Sequence, residues 1–190
     1  MKYNTNIWNN YTDDNRNTTQ KELSKLIYYV SLALGGQKIC EIGCNIGNNL
    51  SEFPTNYDVH GIDINEYALE QAKKNHPSFK FQYANGNKIP YEDSFFDVVF
   101  TRGVLIHIPK EDVEPVLLEM MRISKKWIFN LEYFGEDGKM INWKRGDDLL
   151  WYRNMKENWS THNVEIISDV EIPLGIDSGK SRLTIVKKKS

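Results

Sequence analysis

Apolar residues recur every three or four positions near the start of the chain. In NTTQKELSKLIYYVSLAL they fall at Leu23, Leu26, Ile27, Val30 and Leu34. This spacing is typical of the buried face of a helix, and Thr18 or Thr19 can cap its first turn. Gly35 and Gly36 follow, and glycine commonly ends a helix. The pattern therefore predicts a helix up to about residue 34.

Short apolar runs alternate with further helical patterns. The predicted strands are KICEI, YDVHGIDI, FKFQYA, FFDVVFT and KKWIFNLEYF, followed by strands near 164–172 and 182–187. The predicted helices are a short one ending near Phe53, then NEYALEQAKKN, KEDVEPVLLEMMRIS and DDLLWYRNMKENW. Such alternation favours a parallel sheet covered on both faces. Because only a turn at Asp177-Ser178-Gly179 separates the last two strands, we expect an α/β, doubly wound, seven-stranded, mostly parallel sheet with an antiparallel last strand.

The composition is that of an ordinary globular protein. The chain has 190 residues, of which 40% are hydrophobic and 26% charged, and we expect a single domain over 1–190. The net charge of −2 argues against a nucleic-acid partner. There is no run of about 18 apolar residues, and the first residues lack an apolar signal core. We expect a cytoplasmic monomer or homodimer without a membrane partner, in which Cys40 and Cys44 are reduced thiols and not metal ligands.

The segment KICEIGCNIGNNL places Gly43 and Gly47 directly after the first predicted strand. A nicotinamide-binding loop would need glycine at 43, 45 and 48, and a P-loop would need Lys after Gly47. Neither requirement is met. Glu41 precedes the loop, and Asp63 ends the second strand, where a carboxylate can accept hydrogen bonds from ribose hydroxyls. These residues favour an adenosine-type ligand without a phosphate, and a cationic ligand would be attracted to Glu41.

Four segments, in order, resemble the class I methyltransferases: EIGCNIG, GIDIN, NGNKIPYEDSFFDVVF and RISKK. The resemblance implies a Rossmann-like fold with S-adenosyl-L-methionine as the cofactor. It also implies cofactor contacts at Glu41, Gly43, Cys44, Asn45, Gly47, Asp63, Ile64, Asn85, Gly86, Asn87, Thr101, Arg102 and Gly103. Asn45 replaces a family glycine, which is tolerable because asparagine adopts left-handed conformations. Asn85 replaces a family aspartate, and its carbonyl can still accept a hydrogen bond from adenine.

A narrower likeness covers most of the chain. The segments IWNNYTDDNRN, EIGCNIGNNL, FTRGVLIHI, MRISKKWIFNLEYF and WKRGDDL are similar to methyltransferases associated with pseudaminic acid biosynthesis. This likeness implies a polar, sugar-like small molecule as the methyl acceptor, from a nonulosonic acid or nucleotide-sugar pathway. The expected reaction is transfer of a methyl group to an oxygen or nitrogen atom of that molecule.

Methyl transfer from a sulfonium depends mainly on aligning the acceptor atom, the methyl carbon and the sulfur in a dry site. A hydroxyl or ammonium acceptor must also lose a proton, and a nearby base would assist that step. His107 and Glu132 are the candidate catalytic groups, since they follow the fourth strand and end the fifth. An alternative interpretation is that His107 only packs or caps its loop.

Substrate contacts are predicted at Arg102, His107, Tyr133, Trp143, Lys144 and Arg145. The segment 135–147 interrupts the strand and helix alternation, as an inserted substrate loop does, although Trp143 alternatively anchors that loop. Arg102 either binds a substrate carboxylate or phosphate or makes a structural ion pair. In the segment 1–20, Trp8, Tyr11 and Arg16 either form a lid over the cofactor or simply pack against the domain.

Two other functions remain open at the level of sequence. A methyltransferase acting on RNA or protein is disfavoured by the acidic charge balance and by TRGV, which stands where an N/D-P-P-Y/F motif would follow the fourth strand. A catalytically inactive, cofactor-binding partner subunit is compatible with the same motifs, because intact Glu41, Gly43, Gly47 and Asp63 concern binding and not transfer.

Overall fold

The structure is a computed structural model that describes residues 5–16, 20–173, 175–177 and 180–189. The strands are β1 (Lys38–Ile42), β2 (Asp58–Asp63), β3 (Lys80–Tyr83), β4 (Phe96–Arg102), β5 (Ser124–Tyr133), β6 (Val164–Glu171) and β7 (Ser181–Lys188). The helices are α1 (Thr5–Asn15), α2 (Lys21–Ala33), α3 (Glu66–Asn75), α4 (Lys110–Ile123) and α5 (Met155–Trp159).

The strands form one seven-stranded sheet in the order β3-β2-β1-β4-β5-β7-β6. Strands β1 to β5 are mutually parallel, and β7 lies antiparallel between β5 and β6. The predicted fold class is therefore confirmed. Strand order reverses between β1 and β4, and in open α/β sheets the crevice at the carboxyl ends of such strands is where ligands bind.

Helices cover both faces of this sheet. On one face, Ile39 of β1 packs in a buried cluster with Leu23 and Ile27 of α2. On the other face, Cys40 and Ile42 belong to a second cluster with the apolar residues of α4 and α5. Because both faces of the central strands are buried, their sequences are continuously apolar and do not alternate with polar residues. Cys40 and Cys44 are free thiols, as predicted.

The predicted helix DDLLWYRNMKENW is wrong over its first half. Only Met155–Trp159 is helical, and Asn154 caps it by accepting a hydrogen bond from Glu157 N. The preceding backbone pairs with other segments instead: Trp151 N donates to Ile106 O and Arg153 N donates to Tyr133 O, each at 2.8 Å. These long-range hydrogen bonds replace the ones that a helix would make within itself.

Three other predictions differ from the structure or lie outside it. The short helix predicted to end near Phe53 is a single 3₁₀ turn, Asn48–Leu50. The predicted cap residues Thr18 and Thr19, and the turn residues Ser178 and Gly179, lie outside the described residues. The N-terminal arm is helical over Thr5–Asn15, which its polar sequence does not predict. None of the helices in the described ranges is long and apolar enough to cross a membrane.

Candidate active site

A cavity of about 520 Å³ opens at the carboxyl ends of β1, β2 and β4. Its volume lies in the range of ordinary small-molecule sites. The predicted site residues that line it are Trp8, Tyr11, Gly43, Cys44, Asn45, Asp63, Ile64, Asn85, Gly86, Asn87, Arg102, Gly103 and His107. Fold and sequence thus bring most of the predicted cofactor contacts to one crevice.

The loop after β1 has left-handed backbone conformations at three positions. Gly43 and Gly47 have φ angles of 72° and 81°, and Asn45 has a φ of 47°. The expectation that asparagine can stand at position 45 is therefore confirmed. A Cβ at Gly43 would lie 2.4 Å from a methyl group of Val104, so the glycine also allows the loop after β4 to approach. Gly47 does not line the cavity, and a Cβ there would lie 2.7 Å from the His76 ring.

Asp63 fixes the geometry of two loops at the end of β2. Its carboxylate oxygens accept hydrogen bonds from the backbone N–H groups of Asn45 and Asn65, both at 2.8 Å. Burial raises the pKa of Asp63, and these backbone donors oppose that shift. Each carboxylate oxygen can accept a further hydrogen bond, and Asp63 lines the cavity. The side chain is therefore held ready to accept hydrogen bonds from a ligand.

Glu41 lies beneath the same loop and is fully buried. One oxygen, Oε1, accepts a hydrogen bond from Asn49 Nδ2 at 2.6 Å. The other oxygen, Oε2, is buried and has no hydrogen-bond partner within the described part of the chain. Burial raises the pKa of Glu41 to about 8. An unpartnered buried carboxylate oxygen is costly, so this arrangement suits a site that a cationic ligand completes.

Glu132 and Thr101 occupy positions that differ from their predicted contacts with ligands. Both residues are buried, and neither of them lines the cavity. Glu132 Oε2 accepts hydrogen bonds from Val104 N at 3.1 Å and from Ile106 N at 3.3 Å. Thr101 accepts a hydrogen bond from Asn130 and bonds to Glu132, whose pKa burial raises. Their observed role is to position the loop that carries His107.

His107 lies in that loop with a fixed tautomer. Its Nδ1 is 2.7 Å from Leu149 O, and because a carbonyl only accepts, Nδ1 carries the proton and Nε2 is left as an acceptor. The ring centroids of Trp8 and Trp143 lie 4.9 Å and 5.0 Å away. Burial, aided by the nearby charge of Arg153, lowers the pKa of His107 to about 4. The imidazole is therefore neutral at physiological pH.

A second, smaller space of about 60 Å³ lies beside His107, and we call it the side compartment. Tyr133 and Trp143 line it, and it shares Tyr11, Arg102 and His107 with the main cavity.

The two predicted cations of the 135–147 segment lie elsewhere. Lys144 is exposed and lines neither space. Arg145 pairs with Asp14, and its guanidinium lies 5.4 Å and 5.6 Å from the ring centroids of Tyr11 and Trp143.

Helix α1 covers part of the cavity. Trp8 and Tyr11 of this helix line the cavity wall, and Thr12, also in α1, is fully buried. The Thr12 hydroxyl accepts hydrogen bonds from the side-chain amides of Asn45 and Asn65, each at 3.3 Å. Helix α1 is thereby linked to the loops after β1 and β2. Arg16 does not line the cavity and instead bonds to the Tyr67 hydroxyl and to Asp13.

Comparison with known proteins supports this reading of the crevice. Residues 40–127 match the family model described as methyltransferase domain. The matched segment runs from β1 into β5 and so includes the strand ends that form the crevice. A phosphoethanolamine N-methyltransferase from Triticum aestivum is 37% identical over 79 residues. That match spans 38% of this chain but only 16% of the relative, so the chain corresponds to a small part of that longer protein.

Solved methyltransferase structures resemble nearly the whole chain. The Burkholderia thailandensis 1,6-didemethyltoxoflavin-N1-methyltransferase, solved with S-adenosylhomocysteine, has a TM-score of 0.75 and covers 98% of this chain and 87% of its own at 12% identity. The magnesium protoporphyrin IX methyltransferase of Synechocystis PCC 6803, also with S-adenosylhomocysteine, has a TM-score of 0.68 and covers 90% of this chain and 83% of its own at 15% identity. At these identities the likeness establishes the Rossmann-like methyltransferase fold alone.

Several residues that shape the crevice were not predicted from the sequence. The unpredicted polar residues at the cavity wall are Asn15, Gln20, Ser24, Asn48, Asn49, Asn65 and Asp112. Ser24 is a polar residue on the apolar face of α2, which is a signal that could have identified it. Arg153 is fully buried and donates hydrogen bonds to the carbonyl oxygens of Leu105 and Ile108, which brace the His107 loop. Arg153 lies in the part of the chain that was wrongly predicted to be helical, so no sequence signal indicated this role.

Proposed function

We propose that this chain is an S-adenosyl-L-methionine-dependent methyltransferase that transfers a methyl group to an oxygen or nitrogen atom of a polar small molecule. The observation that carries the proposal is the carboxylate of Asp63, fixed by two backbone N–H groups at the wall of a cavity of about 520 Å³. That cavity lies where the strand order reverses, at the usual ligand position of such sheets.

The residues of the crevice suit this cofactor. Asp63 would accept hydrogen bonds from the ribose hydroxyls, and the 85–87 loop would hold the adenine. The unpartnered Oε2 of Glu41 suits the positive charge that the cofactor carries. When bound, S-adenosyl-L-methionine supplies a methyl group on a sulfonium sulfur, which is an electrophile that needs no metal.

The chain itself contributes orientation, exclusion of water and a hydrogen-bond acceptor. Trp8, Tyr11 and Trp143 enclose His107 with aromatic surface, which limits water beside the reacting atoms. His107 Nε2 can accept a hydrogen bond from the acceptor molecule and so orient it. We infer that helix α1 acts as a lid, because Trp8 and Tyr11 form part of the cavity wall.

We further propose that the acceptor is sugar-like, as the likeness to the pseudaminic acid-associated methyltransferases implies. Arg102, Tyr133 and Trp143 supply one cation and two aromatic rings at the side compartment. Such a surface suits a polar or acidic small molecule. The net charge of −2 disfavours RNA as the acceptor.

Calorimetric titration with S-adenosyl-L-methionine tests the cofactor site. We expect Asp63→Ala to weaken binding about a hundredfold, because hydrogen bonds to a charged group are lost together with the two loop contacts. Glu66→Ala is the matched control, since Glu66 is an exposed carboxylate of the adjacent helix turn and its loss should leave affinity unchanged. Equal affinity of Asp63→Ala and wild type would remove Asp63 from the site.

Transfer of radiolabelled methyl groups into a size-fractionated cell extract tests the reaction. Label in the small-molecule fraction is expected. Label confined to the RNA or protein fraction would replace the proposed substrate class. No label in any fraction, together with intact cofactor binding, would favour a catalytically inactive partner subunit.

A further inference from the structure

The side compartment is small and sits next to His107. Its volume is about 60 Å³. The main cavity, by comparison, has a volume of about 520 Å³. The side compartment therefore admits a single small group of an acceptor molecule, whose remainder must lie in the main cavity or outside.

We propose that the side compartment binds a carboxylate of the acceptor and that the methyl group is transferred to one of its oxygen atoms, giving a methyl ester. This inference rests on the proposed methyltransferase function and names the substrate class of the same site. A carboxylate is a single small group, as the size of the compartment requires.

Arg102 supplies the charge that selects an anion. It lines both the main cavity and the side compartment, and its side chain is 18% exposed. A guanidinium has five N–H donors in a plane that matches a carboxylate. Within the described ranges, its hydrogen-bond partner is the neutral side chain of Gln20. Donors of Arg102 are therefore available for an anionic ligand.

Asp177 is the opposing charge in this compartment. Its Oδ2 lies 3.8 Å from Arg102 Nη2, which is beyond hydrogen-bond distance, and accepts a hydrogen bond from the Ser181 hydroxyl at 2.8 Å. The bound cofactor adds the positive charge of its sulfonium. Arg102 and the sulfonium together place two positive charges against the one negative charge of Asp177, which favours an anionic acceptor group over a cationic one.

The two candidate bases predicted from the sequence, His107 and Glu132, are poorly suited to remove a proton. His107 donates its only N–H to Leu149 O, has no carboxylate partner among the described residues, and has a pKa lowered to about 4 by burial. Glu132 is committed to the backbone N–H groups of Val104 and Ile106. A hydroxyl acceptor would need a stronger base than these. A carboxylate is already ionised, so it needs none.

The step balances without a proton. A carboxylate oxygen forms the new bond to the methyl carbon, the bond between that carbon and sulfur breaks, and its electron pair stays on sulfur. An anion and a cation become a neutral ester and a neutral thioether. Loss of charge along the reaction is favoured in a site of low polarity, and Trp8, Tyr11 and Trp143 place aromatic surface beside this one.

A binding experiment tests the compartment independently of turnover. Acetate and acetamide have the same size and shape but differ in charge, and Trp143 beside the compartment reports binding by its fluorescence. With S-adenosylhomocysteine bound, we expect acetate to change the fluorescence saturably and acetamide to have no effect. Arg102→Gln should weaken acetate binding about tenfold or more, Arg102→Lys should restore part of it, and Lys74→Gln, an exposed control on α3, should have no effect. Equal responses to acetate and acetamide would overturn the inference.

The chemical stability of the transferred label provides the second test. Methyl esters release methanol in mild alkali, whereas methyl ethers and N-methyl amines do not. We expect label in the small-molecule fraction to become volatile after alkali. Alkali-stable label would overturn the carboxylate inference and leave the methyltransferase proposal intact. Absence of label from every fraction would overturn both.

Discussion

Both sides of the crevice have a carboxylate at the end of a strand, but only on one side does the sequence predict the contacts. On the cofactor side (41–49, 63–65 and 85–87), Asp63 ends β2 and accepts hydrogen bonds from two backbone N–H groups. On the acceptor side (α1, 102–108 and 133–154), Glu132 lies in β5 and does the same for Val104 and Ile106. Asp63 lines the cavity and Glu132 does not. A buried carboxylate at a strand end can thus contact a ligand or only shape the loop that does.

The difference between the sides lies in where the contacts come from. Cofactor-side residues are brought together by neighbouring strands and short loops. Acceptor-side residues come from segments far apart in sequence, as when Trp8 and Trp143 meet around His107. We therefore expect substitutions on the acceptor side and on the cofactor side to have different effects on stability and on cofactor affinity. Four substitutions test this, from the largest expected effect to the smallest.

Glu132→Ala should destabilise the protein most. It leaves the buried N–H groups of Val104 and Ile106 without an acceptor, which costs about 3 kcal/mol in unfolding free energy. Urea unfolding measures this loss, and Glu171→Ala, an exposed glutamate of β6, is the control. Cofactor affinity of the folded fraction should change little. A loss of affinity as large as that of Asp63→Ala would break the division into two sides.

Glu41→Gln should change how stability depends on pH on the cofactor side. The folded-state pKa of Glu41 is raised by burial from 4.5 to about 8, so the folded protein holds a proton that the unfolded chain has released. The free energy of unfolding of the wild type therefore falls as pH rises from 4.5 to about 8, by up to about 1.4 kcal/mol per pH unit. The variant does not titrate at this position and lacks this pH dependence.

Thermal unfolding of wild type and Glu41→Gln between pH 4.5 and pH 8 measures the difference. The variant should gain stability relative to wild type as pH rises, and should bind S-adenosyl-L-methionine more weakly. A difference in stability between the two proteins that stays constant from pH 4.5 to pH 8 would mean that the pKa of Glu41 is not raised.

His107→Gln should have the opposite pH signature on the acceptor side. Burial lowers the folded-state pKa of His107 from 6.5 to about 4, so as pH falls through this window the unfolded chain binds a proton first and wild type loses stability. Glutamine can still donate to Leu149 O but does not titrate. The advantage of the variant should grow as pH falls from 6.5 to 4, as measured by thermal unfolding. A wild-type titration of His107 near pH 6.5 in an NMR experiment would contradict this.

Arg145→Gln should have the smallest effect. Arg145 holds the pKa of Asp14 below its usual value, but Asp14 is exposed to solvent, so the ion pair contributes little to folding. We expect an unchanged Tm at both low and high salt and unchanged cofactor affinity. A marked drop in either would mean that the contact between α1 and the 135–147 segment holds the lid closed.

Much of the cofactor side could be predicted from the sequence because its signals are local. The φ of Asn45 is left-handed, as expected for a residue replacing glycine, and Asp63 lies at the end of β2 at the cavity wall. The parallel sheet with its antiparallel last strand was predicted from the alternation of apolar runs and helical patterns. Glu41 was found by the same motif, but its buried, unpartnered oxygen could not be foreseen, because burial depends on the whole packing.

The acceptor side could not be predicted in the same way. The sequence TNIWNNYTDDN is rich in Asn and Asp, which favour turns over helices, yet it forms α1 because Thr12 is held from outside the helix by Asn45 and Asn65. The 150–154 segment has a helical pattern, yet it pairs with Ile106 and Tyr133 instead. In both cases tertiary contacts outweigh local propensity.

The sequence by itself determined the sheet, the loop that suits a nucleoside, and the carboxylates at the ends of its strands, because short-range patterns specify each of them. Only the tertiary structure decided that Glu132 supports a loop, that His107 is neutral with a fixed tautomer, and that a small compartment beside Arg102 adjoins the main cavity. These properties depend on burial and on contacts between residues distant in sequence. Such contacts exist only once the chain has folded.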